Sequence, residues 1–137
     1  MGNIQSSVNK INFEDMQYAI NDKSYILVNT LNVSEQECLI INTIKSDNEE
    51  KIINELIKHG KYNINIVVYG KNTNDESILK KYNQLISLSF KNVFLYQGGL
   101  FEWLMLQDIY GSEEFPTTTK MIDILKFVHE CGVIHCD

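Results

Sequence analysis

Apolar residues in this chain gather in short runs, and their spacing switches between a helical and a strand-like period. Residues 12–22 predict a short helix capped by Asn12, with Phe13, Met16, Tyr18 and Ile20 as its apolar contacts. YILVNTL at 25–31 is a continuous apolar run that turns polar at its end, which predicts a strand. CLIINTI at 38–44 predicts a second short strand or extended segment, after the polar loop NVSEQE. Ser46 and Glu49 then form an S-x-x-E pattern, a capping box opening a helix that packs through Ile52, Ile53, Leu56 and Ile57 and stops at Gly60.

The clearest strand is NINIVVY at 63–69, whose Ile and Val residues suit a central parallel position. A polar loop follows, and a helix over 76–89 is predicted to pack through Ile78, Leu79, Tyr82, Leu85 and Ile86. NVFLY at 92–96 is the next strand, ending at a Gly-Gly pair. LFEWLMLQDIY at 100–110 is apolar on most faces, which predicts a largely buried helix. EEFPTTTK turns the chain, and Thr117 or Thr118 is expected to cap a last helix built on Met121, Ile122, Ile124, Leu125, Phe127 and Val128.

Strands alternating with helices define an α/β domain with a central parallel sheet of about five strands, helices on both faces and right-handed crossovers. The expected organisation is a flexible tail over 1–11 and a single domain over 12–137 that includes the carboxyl-terminal helix. In such a domain the loops at the carboxyl ends of the strands carry the site. That points to GKNTNDE after the 63–69 strand (Gly70, Lys71, Asn72, Thr73, Asn74, Asp75 and Glu76) and to the neighbouring Gly98-Gly99 turn with Trp103.

Charge narrows the partners. The net charge of −6 disfavours a nucleic-acid backbone. All twelve basic residues are Lys, so no Arg fork exists to grip a phosphate or sulfur oxyanion. Three cysteines with no secretory signal pattern fit a reducing, cytoplasmic setting and no disulfide framework. Gly2 and Ser6 match M-G-x-x-x-[ST], the acceptor pattern for N-myristoylation. A single acyl chain binds membrane only marginally, so acylation would give a peripheral attachment that needs a second contact.

With these elements in place, the chain resembles a rhodanese domain. The likeness lies in Ile66-Val67-Val68-Tyr69, Asn92-Val93 and Gln97-Gly98-Gly99-Leu100-Phe101-Glu102-Trp103, with Leu27 to Leu31 and Cys38 to Ile44 at the places of two upstream family segments. It covers roughly residues 12–111, and QDIYG with EFPTTT resembles a subgroup from protists and large DNA viruses. The resemblance implies a nucleophilic Cys directly after the Tyr69 position, with a loop that stabilises negative charge on its sulfur. Gly70 stands there instead, Lys71 is the one base available on the loop, and Asn29 and Leu31 replace the Asp and Arg of the upstream strand.

The expectation is therefore a catalytically inactive rhodanese-like domain that binds another protein or acts as a scaffold. Residual sulfurtransferase or anion-binding activity at the 70–76 loop is one alternative. A structural part in a viral or membrane-associated assembly is another. Loop amides before a helix could cradle an anion, but Asp75 and Glu76 are placed to satisfy those amides themselves. His129, Cys131, His135 and Cys136 match no closed zinc spacing, so no metal and no cofactor are expected. Cys38, Phe101 and Trp103 are expected in the core.

Overall fold

The structure is a computed structural model and describes residues 8–119. Its elements run β1 (Lys10–Ile11), α1 (Phe13–Ala19), β2 (Tyr25–Asn29), a 3-10 turn (Val33–Glu35), β3 (Thr43–Ile44), α2 (Ser46–Lys58), β4 (Asn65–Tyr69), α3 (Ser77–Ser87), β5 (Asn92–Tyr96) and α4 (Gly99–Tyr110). The five strands form one parallel sheet in the order β1-β5-β4-β2-β3. β4 is central, pairing Tyr69 with Asn29 on one side and with Tyr96 on the other. The carboxyl ends of β2, β4 and β5 therefore lie in line.

Strand alternation divides the core into two layers. Val67, Tyr69 and Tyr96 join Met16 and Ala19 of α1 and Leu100, Trp103 and Leu104 of α4. Ile66, Val68, Val93 and Leu95 face Ile53 of α2 and Ile78, Tyr82 and Leu85 of α3. Helices thus cover both faces of the sheet, as the run of elements requires.

Caps explain the helix limits and one departure. Asn12 Oδ1 accepts the Asp15 N–H while Asp15 Oδ2 accepts the Asn12 N–H, a reciprocal box at the start of α1. Gly60, at φ +65°, ends α2 in a Schellman motif, with Lys61 N–H donating to Leu56 O and Gly60 N–H to Ile57 O. The Ser46–Glu49 box does not form: Lys45 is the capping position and supplies no side-chain bond. Glu49 is drawn instead to Lys81 Nζ at 2.6 Å, tying α2 to α3, and the Ser46 N–H donates to Gln36 Oε1 at 3.4 Å.

Other expectations shift for similar reasons. Residues 10 and 11, read as tail, are the edge strand β1, too short to show any alternation. The 38–44 run reaches strand geometry only at Thr43–Ile44; Cys38, Leu39 and Ile40 are buried, and Ile40 bridges antiparallel to Thr117. Leu79 and Ile86 were expected to pack, yet are 45% and 42% exposed, because Ile78, Tyr82 and Leu85 fill the side facing the sheet. α4 buries Leu100, Trp103 and Leu104 but leaves Met105, Ile109 and Tyr110 exposed, so it covers the sheet only through its first two turns. Gly2, the body of the last helix expected on Met121 to Val128 and the His129–Cys136 cluster lie outside the described residues.

Candidate functional site

The loop after β4 is built against α4. Gly99 has φ +72°, and a Cβ there would lie 2.8 Å from Gly70 O and 3.0 Å from Asn72 N. Only glycine tolerates both the backbone conformation and the approach. The contact lets α4 spend its first free N–H groups on the loop: Leu100 N–H donates to Gly70 O and Phe101 N–H to Lys71 O, both at 2.9 Å. Below the turn, Trp103 is fully buried, donates Nε1–H to Pro116 O at 3.1 Å and packs edge-on to Tyr96 and Phe115.

Asp75 fills the loop from within. Its Oδ2 accepts the Lys71 N–H at 2.9 Å and the Thr30 hydroxyl at 3.4 Å. Its Oδ1 accepts the Ser77 N–H at 3.0 Å and the Ser77 hydroxyl. Glu76, expected to share this task, occupies the capping position of α3 in helical conformation and makes no side-chain cap bond. Asn72 Oδ1 accepts the Asn74 N–H at 2.9 Å, a second local closure. A Cβ on residue 70 would meet Asp75 Oδ2 at 2.3 Å and Ile78 Cγ2 at 2.8 Å. The absent side chain at 70 and the carboxylate of Asp75 thus occupy overlapping space.

The base on this loop is also committed. Lys71 Nζ lies 3.3 Å from Glu35 Oε2, and Glu35 Oε1 accepts the Asn32 N–H at 3.4 Å. At the end of β2, Asn29 is buried and pairs its amide reciprocally with Gln36, while its Oδ1 also accepts the Leu31 N–H. Leu31 is buried in the α1/α4 core layer. The upstream strand end thus supplies a closed amide pair and an apolar contact.

Two phenols stand under the loops. Tyr69 is fully buried, accepts the Ile40 N–H at 3.1 Å and shares a 2.8 Å hydrogen bond with Thr43 Oγ1. Burial raises its pKa well above the usual phenol range, against the opposing pull of Thr43 and Ile40. Tyr96 donates to Glu102 Oε1 at 2.6 Å, and burial followed by the nearby Glu102 carboxylate raises its pKa also. Both hold their protons at neutral pH and serve as donors and props. Cys38, with no exposed surface, donates Sγ–H to Thr119 O at 3.4 Å and does not reach the loop. Among the described residues no group of three or more His, Cys, Asp or Glu could hold a metal ion.

Next to the loop a polar groove opens between α2 and α3. Its two adjoining hollows, about 420 and 350 Å³, share Ser46, Glu49, Lys81 and Gln84, and one reaches Thr30 and Ser77 beside Asp75. The Glu49–Lys81 pair spans it. Thr30, Glu35, Gln36 and Ser77 belong to no motif in the sequence. Their only sequence signal is polarity near a strand end, and their partners lie up to 47 positions away.

No family profile matches the chain, and no curated protein sequence does. Solved structures do. The Alr3790 protein from Anabaena sp. matches with a TM-score of 0.58 at 19% identity, over 85% of this chain and 84% of that one. A shorter structure, described as the Rhodanese_3-like domain of the same protein, covers 69% of this chain and 99% of that one at 20% identity, with a TM-score of 0.49. Ygr203w from Saccharomyces cerevisiae, described as a homolog of single-domain rhodanese and the Cdc25 phosphatase catalytic domain, matches with a TM-score of 0.58 at 13% identity, over 83% and 89% of the two chains. The fold is rhodanese-like, an α/β domain with a five-stranded parallel sheet. Among the described residues no helix is long and apolar enough to cross a membrane.

Proposed function

We propose that this chain is a catalytically inactive rhodanese-fold module that works by binding another protein. One observation carries the reading: Gly70 stands where the fold would present a nucleophile, and the Asp75 carboxylate fills the space around it, 2.3 Å from where a Cβ would be. The loop amides that would stabilise an anionic sulfur are bonded to that carboxylate. A thiolate added beside a fixed carboxylate would be disfavoured by like-charge repulsion. The pairing of Lys71 with Glu35 neutralises the one basic residue within the 70–76 loop.

The test is thiosulfate:cyanide sulfurtransferase turnover by the full-length chain. No turnover above the uncatalysed rate is expected, and none after Gly70→Cys alone. Turnover by the natural chain that disappears when its thiols are blocked would overturn the proposal. We propose also that Gly2 carries a myristoyl group, which would hold the module at a membrane surface together with its partner. The M-G-x-x-x-S pattern supports this, and an unshifted intact mass of the chain from its native cell would refute it. Kinship with the protist and viral subgroup rests on QDIYG and EFPTTT, the segment that Trp103 and Gln107 hold in place.

A further inference from the structure

The two helical layers differ in charge. Residues 12–22 and 97–119, which hold α1, α4 and the segment after α4, contain no lysine. They expose Glu14, Asp15, Asp108, Glu113 and Glu114. The opposite layer mixes signs, with Lys51 and Lys58 on α2 and Lys80 and Lys81 on α3. α4 has no basic residue in its last turn, so the negative end of its dipole adds to Asp108, Glu113 and Glu114, whereas Glu14 and Asp15 lie in the first turn of α1.

The same layer leaves apolar surface uncovered. Tyr18, Ile109 and Tyr110 are 62%, 63% and 64% exposed. Contacts join the end of α4 to α1: Phe115 packs against both Phe13 and Tyr110, at 5.8 and 6.2 Å between ring centroids, and Gln17 Nε2 donates to Glu114 O at 2.9 Å. Exposed aromatic and aliphatic side chains therefore share these two stretches with five exposed carboxylates. A scattered apolar residue needs no explanation, but exposed apolar side chains with a charged surround match the apolar centre and polar rim of a docking surface.

We propose that the α1/α4 layer is the docking surface of the module and that its occupant is a basic amphipathic segment of a partner protein. Lys or Arg side chains would meet the carboxylate rim while aliphatic residues cover Tyr110 and Ile109. Charge argues against three other occupants. Nucleic acid and anionic lipid are repelled by this face. A second copy related by two-fold symmetry would set acid against acid. The inference rests on the protein-binding reading and adds the chemistry of the partner to it.

A synthetic helical lysine–leucine peptide is the probe, titrated into the isotope-labelled full-length chain by NMR, with fluorescence anisotropy for affinity. Expected are shift changes confined to α1, α4 and residues 111–119, and affinity that falls steeply with salt. Combined Tyr110→Ser, Glu113→Lys and Glu114→Lys substitutions should weaken binding at least tenfold, and Glu114→Lys alone severalfold should the triple variant not fold. Lys80→Glu on the opposite layer should change affinity less than twofold. No binding, shifts centred on α2 and α3, indifference to the Glu114 reversal, or self-association through this face would each overturn the proposal. Sulfurtransferase turnover, measured on the same sample, reads the non-catalytic proposal separately from the docking result.

Discussion

The 70–76 loop and the α1/α4 surface handle polarity in opposite ways. In the loop, the amides of Lys71 and Ser77 are bonded to Asp75, Lys71 Nζ pairs with Glu35, and the first amides of α4 are bonded to Gly70 and Lys71. On the α1/α4 surface, Glu113 and Glu114 project into solvent beside exposed Tyr110. A group that is already satisfied gains little from a ligand, since binding only exchanges one partner for another. Exposed apolar area with unneutralised charge still has free energy to gain. The loop at the carboxyl end of the central strand is the quieter of the two regions.

Five substitutions and one pH titration test this contrast. The largest effect is expected from Trp103→Ala, because Trp103 supports both regions through Tyr96 and Phe115. It should cost about 3–5 kcal/mol in a urea titration, given the cavity left by a buried indole. A loss below about 1 kcal/mol would mean that the two regions do not share this prop.

Gly99→Ala attacks the loop alone. The φ of +72° and the 2.8 Å approach to Gly70 O predict a cost of at least about 1–3 kcal/mol. Amide exchange should rise at Leu100 and Phe101, whose N–H groups depend on the contact.

Gly70→Cys should cost about 1–3 kcal/mol through overpacking against Asp75. Asp75→Ala should cost a similar amount, about 1–3 kcal/mol, by stripping the acceptor from the Lys71 and Ser77 amides. The two effects are coupled because both groups claim one space. The double variant should therefore lose less than the sum of the single losses by roughly 0.5 kcal/mol or more in a double-mutant cycle. Additive losses would show that the loop moves aside for a side chain at 70.

The smallest effect is on pH dependence. Tyr69 and Tyr96 have raised pKa values in the folded state. The folded chain then keeps protons that the unfolded chain releases above about pH 10, so stability is full below that pH and falls as pH rises past it. The urea midpoint should decline on the alkaline side, and ultraviolet titration should show two phenols ionising only with unfolding. Tyr96→Phe should flatten part of that decline.

Much of the scaffold was legible in the residues. The β4 run 65–69, the β5 run 92–96, the Asn12 cap and the Gly60 stop all depend on neighbours within a few positions, so periodicity and cap chemistry reveal them. Two of the departures share one cause. Glu49 left its box for Lys81, 32 positions away, and residues 38–40 took partners near Thr117 instead of extending a strand. That residue 70 carries no side chain was legible too. That Asp75 turns inward to fill the space, while Glu76 does not, was not.

Residue type and short-range pattern are enough for an α/β chain with a parallel sheet, a glycine directly after the β4 strand and the absence of Arg. Only the tertiary structure decided that Asp75 closes the loop, that Glu35 neutralises Lys71, and that the lysine-free stretches 12–22 and 97–119 fall on one side of the sheet. The physical reason is that hydrogen bonds, ion pairs and surface patches join residues far apart in sequence, and the chain order does not say which face of a sheet each crossover will cover.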